Sequence, residues 1–174
     1  DKMKIKVFSC IMLTLLFLCA CRTQSVYAKE KITVGTNAEY APFEYLDSDG
    51  NLTGFDYELL EAIAQEENLE LEWKDMPFDS LVGSMETGNI QIIAAAIGPT
   101  KEREKSVDFS DVYYTGSQSI VSSQKTHLYD FAELSGKRVA VLEGSQSDFI
   151  VSGENTDYGV VENATVVRFK NAAS

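Results

Sequence analysis

From residue 31 onward the apolar positions change period several times, and each change marks an element. "KITVGT", residues 31–36, is a β-branched run that ends at Gly35-Thr36 and predicts a strand. The turn-rich "LDSDGNLTGF" follows, with Asp49-Gly50 as a hairpin signal. In "DYELLEAIAQEEN", residues 56–68, and the Phe55 before it, the apolar positions Phe55, Leu59, Leu60 and Ile63 fall on one helical face. Asp56 and Glu58 sit in the first turn, where they suit the positive end of the helix dipole. "LELEWKDM" then alternates with period two, placing Leu69, Leu71 and Trp73 on one side of a strand. "FDSLVGSMETGN" predicts a second amphipathic helix stopped at Gly88-Asn89. "IQIIAAAIG", residues 90–98, is a continuous apolar run, the pattern of a strand covered on both faces of a parallel sheet.

Strand, helix, strand, helix, strand is the order of an α/β unit. "SVDFSDVYYTGSQSIVSSQ" reads as extended chain leaving that unit. A second unit begins with "LYDFAELSGK", a short helix and turn, then "RVAVLEG" as a strand, "SQSDFIVSG" as a helix and "ATVVRF" as a further strand. The expected organisation is a first lobe over 31–115, a crossing at 116–122 and a second lobe over 123–174 that is incomplete at two strands. No repeat or low-complexity segment is present.

The N-terminal residues follow a different logic. Lys2, Lys4 and Lys6 precede the apolar run "VFSCIMLTLLFLCA", which reads as a signal segment over residues 1–20 rather than a membrane span. Met3 is a candidate start. "LCAC" resembles a bacterial lipobox, which would make Cys21 the lipidated N-terminus of a membrane-anchored protein with residues 21–30 as tether. "VYA", ending at Ala28, fits ordinary secretory cleavage instead. Both readings place the protein outside the cytoplasm. All three cysteines, Cys10, Cys19 and Cys21, lie in this segment, so no disulfide framework, thiolate metal site or cysteine nucleophile is expected in the folded part. The net charge of −12 argues against nucleic acid as a partner.

In open α/β sheets, ligands bind beyond the carboxyl ends of the strands. Three such ends carry chemistry here: "NAEYAPFEY" with Asn37, Tyr40 and Phe43, "GPTKER", and "EGSQS". The last two are loops leading into predicted helix N-termini, where exposed N–H groups and the dipole attract anions. Arg103 adds a planar fork matched to a carboxylate. Together they predict a site for a small carboxylate-bearing ligand, with Tyr40, Phe43 and Phe78 as apolar walls. Each feature alone also has a plainer reading: Arg103 as one charge on a solvated helix face, the aromatics as core, "EGSQS" as a turn and cap. His127 has no partner for a base or metal site. Phosphate-loop and paired catalytic carboxylate patterns are absent, and neither metal nor cofactor is expected.

At this point the chain resembles a known family, the bacterial extracellular solute-binding proteins of the polar amino-acid type that serve ABC importers. "VGTNAEYAPFEY", "GFDYELLEAIA", "FDSLVGSMETGNIQIIAAAIGPTKER", "VDFSDVYY" and "GKRVAVLEGS" occur in the family's order and spacing, over about Ile32 to Phe169. The resemblance implies a periplasmic-binding-protein-like (type II) α/β fold of two lobes joined by hinge strands and closing on a free amino acid. It implies ABC permease subunits as partners and no catalysis. Carried over by position, Arg103 matches the arginine that grips the ligand carboxylate, and the Ser145 and Gln146 backbone matches the second lobe's carboxylate donors. Ala96 and Gly98 match strand-end positions that meet the ammonium, and Tyr40 and Phe78 match side-chain walls. Asn37 stands where binders of basic amino acids often carry Asp, which counts against a Lys, Arg or His ligand, and Gly98 stands where a hydroxyl residue is frequent, which removes one side-chain bond to the ligand. The family's ammonium-binding acid and the rest of its second lobe are expected beyond Ser174. Two other functions compete. An exported dehydratase on the same fold, resembling cyclohexadienyl dehydratase, would use cleft carboxylates, with Glu39 and Glu143 as candidates. A surface lipoprotein with an adhesive or signalling role would bind no amino acid.

Overall fold

The computed structural model of the chain describes residues 28–155 and 159–171. The predicted signal segment, Cys21 and the tether up to residue 27 lie outside the described residues. Strand β1 (Glu30–Thr36) forms the middle of a parallel sheet between β5 (Leu69–Asp75) and β6 (Ile92–Ile93). It pairs with β5 along its whole length, from Glu30 opposite Leu69 to Thr36 opposite Asp75. The central position explains why Val34 and Thr36 are fully buried. Between β1 and β5 the chain makes a small antiparallel sheet from β2 (Glu39–Tyr40), β3 (Glu44–Leu46) and β4 (Leu52–Thr53), followed by helix α1 (Phe55–Glu66). The hairpin predicted at Asp49-Gly50 joins β3 to β4, and Asp47 Oδ1 accepts from the amides of Asp49 and Asn51 to close it.

Helix α2 (Leu81–Glu86) follows a short 3-10 turn at Phe78–Ser80 and ends as expected, with Gly88 at a left-handed φ of 75°. Leu81, Ile90 and Ala95 form the buried core of this lobe, with Met76, Phe78, Met85 and Ile93 packed against it. The second unit pairs β7 (Arg138–Leu142) with β8 (Thr165–Phe169) in parallel, with α3 (Gln146–Val151) between them in the chain. Its core is separate: Leu134, Val141, Ile150, Val151 and Val161. Two cores with no shared residue make two lobes. Among the described residues no helix is long and apolar enough to cross a membrane.

Three expectations are corrected. The apolar face of α1 is only partly buried: Phe55 and Ile63 are exposed and Leu59 and Leu60 half-buried, while Asp56 and Ala64 are buried. Phe55 instead joins a surface cluster with Phe43, Tyr113 and Tyr114, and the helix meets β5 through the Tyr57–Trp73 ring contact. The run "IQIIAAAIG" yields only the two-residue β6, half-buried rather than covered on both faces. Amide bonds from Gln91 to Thr33 and Ala94 to Gly35 flank the paired residues, and the left-handed φ of 46° at Ala96 ends the extended conformation. "TKER" opens no full helix: residues Arg103–Lys105 form a single 3-10 turn. Residues 106–130, in contrast, contain neither helix nor strand and run as coil between the lobes, in keeping with the extended chain expected there.

Helix α1 begins at Gly54 with no side-chain cap. Its first amides are satisfied instead by another loop: Phe55 N donates to the Pro42 carbonyl and Asp56 N to the Phe43 carbonyl, both at 2.9 Å. So close an approach requires glycine. A Cβ at Gly54 would lie 2.3 Å from the Phe43 carbonyl oxygen, and its φ of 123° is one that side chains rarely adopt. Gly54→Ala is therefore expected to destabilise the protein by about 3 kcal/mol, through overlap and strain together. Urea unfolding checks this; an unchanged midpoint would show that the loop and helix separate at little cost.

Candidate functional site

Arg103 is a charged residue that the fold takes out of water, at 7% exposure. Its 3-10 turn follows the strand-end bend at Gly98-Pro99, and the Thr100 hydroxyl accepts from the Arg103 amide at 3.2 Å. The side chain turns back across the bend. One terminal nitrogen donates to the Gly98 carbonyl and the other to the Gly144 carbonyl, each at 2.8 Å. Gly98 belongs to the first lobe and Gly144 to the second, so the guanidinium spans the interface. The rings of Phe78 and Phe149 flank it, with centroids 5.5 and 5.6 Å from the guanidinium carbon. No carboxylate lies within ion-pair distance of it among the described residues. Burial pushes its pKa down to about 10, which still leaves a full positive charge at neutral pH.

The predicted site residues divide between two cavities that meet at Ile97. One, of about 270 Å³, is lined by Phe78, Asp79, Arg103, Gly144 and Phe149. The other, of about 240 Å³, is lined by Tyr40, Ala96, Gly98, Tyr113, Tyr114 and Gln146. The Arg103–Gly98 hydrogen bond joins them. Tyr40 is half exposed and stacks on Phe43 with centroids 5.6 Å apart. A Cβ at Gly98 would meet open space, so nothing steric excludes a hydroxyl residue there.

Asn37 and Ser145 line neither cavity. Asn37 is buried and its amide donates to the Met76 carbonyl, which makes it a brace beneath the first strand end. Ser145 caps the six-residue α3 by accepting from the Asp148 amide. Its own amide donates to Leu142, and the Gly144 amide donates to Asp148. The "EGSQS" loop thus satisfies these two donors internally, where the sequence predicted donors open to an anion. Asp148, at 4% exposure, also accepts from Arg168 at 2.8 Å, tying α3 to β8.

Sequence reasoning missed Phe149, Gly144 and a buried carboxyl pair. Phe149 lies one helical turn past Ser145, a spacing that carries no signal without knowing which lobe face it meets. The pair is Glu44 on β3 and Asp56 on α1, exposed by only 1% and 2%. Asp56 Oδ2 accepts from the Ala96 amide at 2.6 Å and from the Tyr113 hydroxyl at 2.9 Å. Asp56 therefore holds the strand end rather than serving the α1 dipole from solvent. The dehydratase candidates do not converge. Glu39 is exposed on β2, Glu143 lies 3.6 Å from Lys170, and neither lines the two cavities.

Known proteins resemble the chain over most of its described length. Residues 32–171 match the bacterial extracellular solute-binding proteins, family 3. The arginine-binding extracellular protein ArtP of Bacillus subtilis is 40% identical over 139 residues, covering 80% of this chain and 54% of its own length. Among solved structures, an ancestral arginine-binding protein bound to arginine superposes with a TM-score of 0.74 at 35% identity, over 84% of this chain and 64% of that one. The ancestral amino-acid-binding protein AncCDT-1, a precursor of cyclohexadienyl dehydratase, reaches 0.72 at 32% identity, over 82% of this chain and 62% of that one. The chain spans about half the length of the curated relatives it matches. It has the two-lobe, type II periplasmic-binding-protein fold, and it belongs to the bacterial extracellular solute-binding proteins of family 3.

Proposed function

We propose that the protein is the extracytoplasmic binding component of an amino-acid ABC importer, capturing a free amino acid between its lobes without catalysis. The observation that carries this reading is Arg103, buried at the lobe interface with no counter-ion among the described residues. A buried cation whose only hydrogen-bonding acceptors among the described residues are neutral carbonyls is costly, and an entering carboxylate offsets that cost through charge-assisted bonds. The ligand carboxylate would replace one of the two carbonyls on the guanidinium fork. Exchange at Gly144 would couple ligand entry to the lobe interface, in keeping with closure by hinge motion. Ala96, Gly98, Tyr40 and Gln146 would surround the ammonium end and side chain, with Ser145 acting through the α3 cap.

Arginine is the first candidate ligand, because the similar proteins named above are arginine binders. Asn37 does not oppose this, since its amide is committed to Met76. Asp111 lines the cavity that would take the ammonium end and side chain, so a cationic side chain would meet a carboxylate there. Lipid attachment through Cys21 and docking to permease subunits complete the proposal. The dehydratase reading has the AncCDT-1 likeness in its favour, but neither of its candidate acids, Glu39 and Glu143, reaches the cavities.

Calorimetric titration against the twenty amino acids tests the proposal; no heat from any of them would sink it. Arg103→Ala is expected to weaken binding at least about 100-fold, or roughly 3 kcal/mol, because it strips a buried charge-assisted contact. An unchanged dissociation constant would remove Arg103 from the site. Bound ligand should also stabilise the fold: at a concentration of about 100 times Kd, the gain in unfolding free energy is about 2.7 kcal/mol, read from denaturant melts.

A further inference from the structure

Glu44 and Asp56 sit in contact because the backbone clamp at Gly54 brings β3 against the first turn of α1. Both carboxyls are buried, and the Asp56 amide donates to the carbonyl of Phe43, the residue before Glu44. Glu44 Oε2 and Asp56 Oδ1 are buried and have no hydrogen-bond partner among the described residues. The remaining Asp56 oxygen carries the Ala96 amide and the Tyr113 hydroxyl. Two ionised carboxylates at this depth would repel with nothing to offset them. A single proton between the two orphaned oxygens removes the repulsion and satisfies both.

We propose that Glu44 and Asp56 share one proton and that this pair positions the strand end of the binding site, by fixing the Ala96 amide and the Tyr113 hydroxyl. Ala96 and Tyr113 line the same cavity. Ala96 holds a left-handed backbone that alanine seldom adopts, so it needs an external anchor, and Asp56 supplies it. The positioning role rests on the amino-acid-binding reading above; the shared proton does not.

The groups that bear on the pair are few. Burial, then the charge of Asp56, pushes the Glu44 carboxyl up to about 9. Burial, then Asp56, also pushes the Tyr113 hydroxyl above its ordinary range. Asp108 lines a cavity of about 360 Å³ with Asp56 and Tyr113. No lysine, arginine or histidine contributes to the shift of Glu44 or of Tyr113. Between the ordinary glutamate value and about 9, the folded protein therefore holds a proton that the unfolded chain has released. Stability from this pair is complete at low pH and declines as pH rises through that window.

Glu44→Gln keeps a hydrogen-bond donor beside Asp56 and cannot titrate. Unfolding of both proteins is followed from about pH 5 to about pH 9, with L-arginine affinity and exchange of the Ala96 amide proton measured alongside. The folding equilibrium constant of the native protein should fall relative to that of Glu44→Gln by up to about tenfold per pH unit, the limit for one proton. Parallel profiles would overturn the shared proton. Should Glu44→Gln not fold, carbon-13 titration of the native Glu44 carboxyl decides instead: a midpoint well above neutrality supports the pair, an ordinary glutamate midpoint refutes it. Exchange at Ala96 should accelerate with pH more steeply in the native protein than in Glu44→Gln, and L-arginine affinity should fall in parallel. If unfolding diverges while Ala96 exchange does not, the positioning role is wrong. If no L-arginine binds but exchange behaves as expected, the pair stands and arginine as the ligand is what fails.

Discussion

A single buried guanidinium joins the two halves of this molecule. Arg103 donates to one carbonyl from each lobe and lies between one phenylalanine from each. Neutral carbonyls and ring faces solvate the charge incompletely, as its lowered pKa reflects. The same arrangement leaves a cation at the interface in a state that a carboxylate improves. A second, exposed link runs beside it, from Lys170 after β8 to Asp79 after Phe78. Exposed pairs of this kind add little to stability, so the buried arginine dominates how the lobes meet.

Behind the arginine stands a scaffold that is mostly backbone. The parallel ladder from β5 through β1 to β6 sets where the strand ends fall. The clamp between the Pro42-Phe43 carbonyls and the first amides of α1 sets where Asp56 points. Asp56 in turn holds Ala96, two residues before Gly98, whose carbonyl holds Arg103. The glycine at position 54 and the arginine at position 103 are thereby links in one chain of contacts. A change at either end displaces the strand end between them.

Much of this was legible beforehand, for identifiable reasons. The hairpin at Asp49-Gly50, the alternation of Leu69, Leu71 and Trp73, and the stop at Gly88 depend on local backbone preference and period, which neighbours in sequence decide. The failures share another cause. Phe55 and Ile63 are apolar yet exposed, and Asp56 is charged yet buried, because α1 is oriented by its N-terminal clamp as well as by its apolar stripe. "IQIIAAAIG" is apolar throughout, yet its extended course ends where a distant aspartate captures the Ala96 amide. "EGSQS" has the composition of an anion loop, but Asp148 and Leu142 take two of its donors first.

By itself, the sequence determined the element order, the α/β class, the two-unit organisation and the family, because these follow from periodicity and from motifs whose spacing survives without contacts. It also singled out Arg103, though as a choice between a solvated charge and a carboxylate clamp. Only the tertiary structure decided that the charge is buried, that its partners are Gly98 and Gly144, and that Glu44 and Asp56 are both buried, with Asp56 holding the Ala96 amide. Those hydrogen bonds join residues from 5 to 41 positions apart. Burial and charge compensation are properties of that arrangement, and local pattern does not encode them.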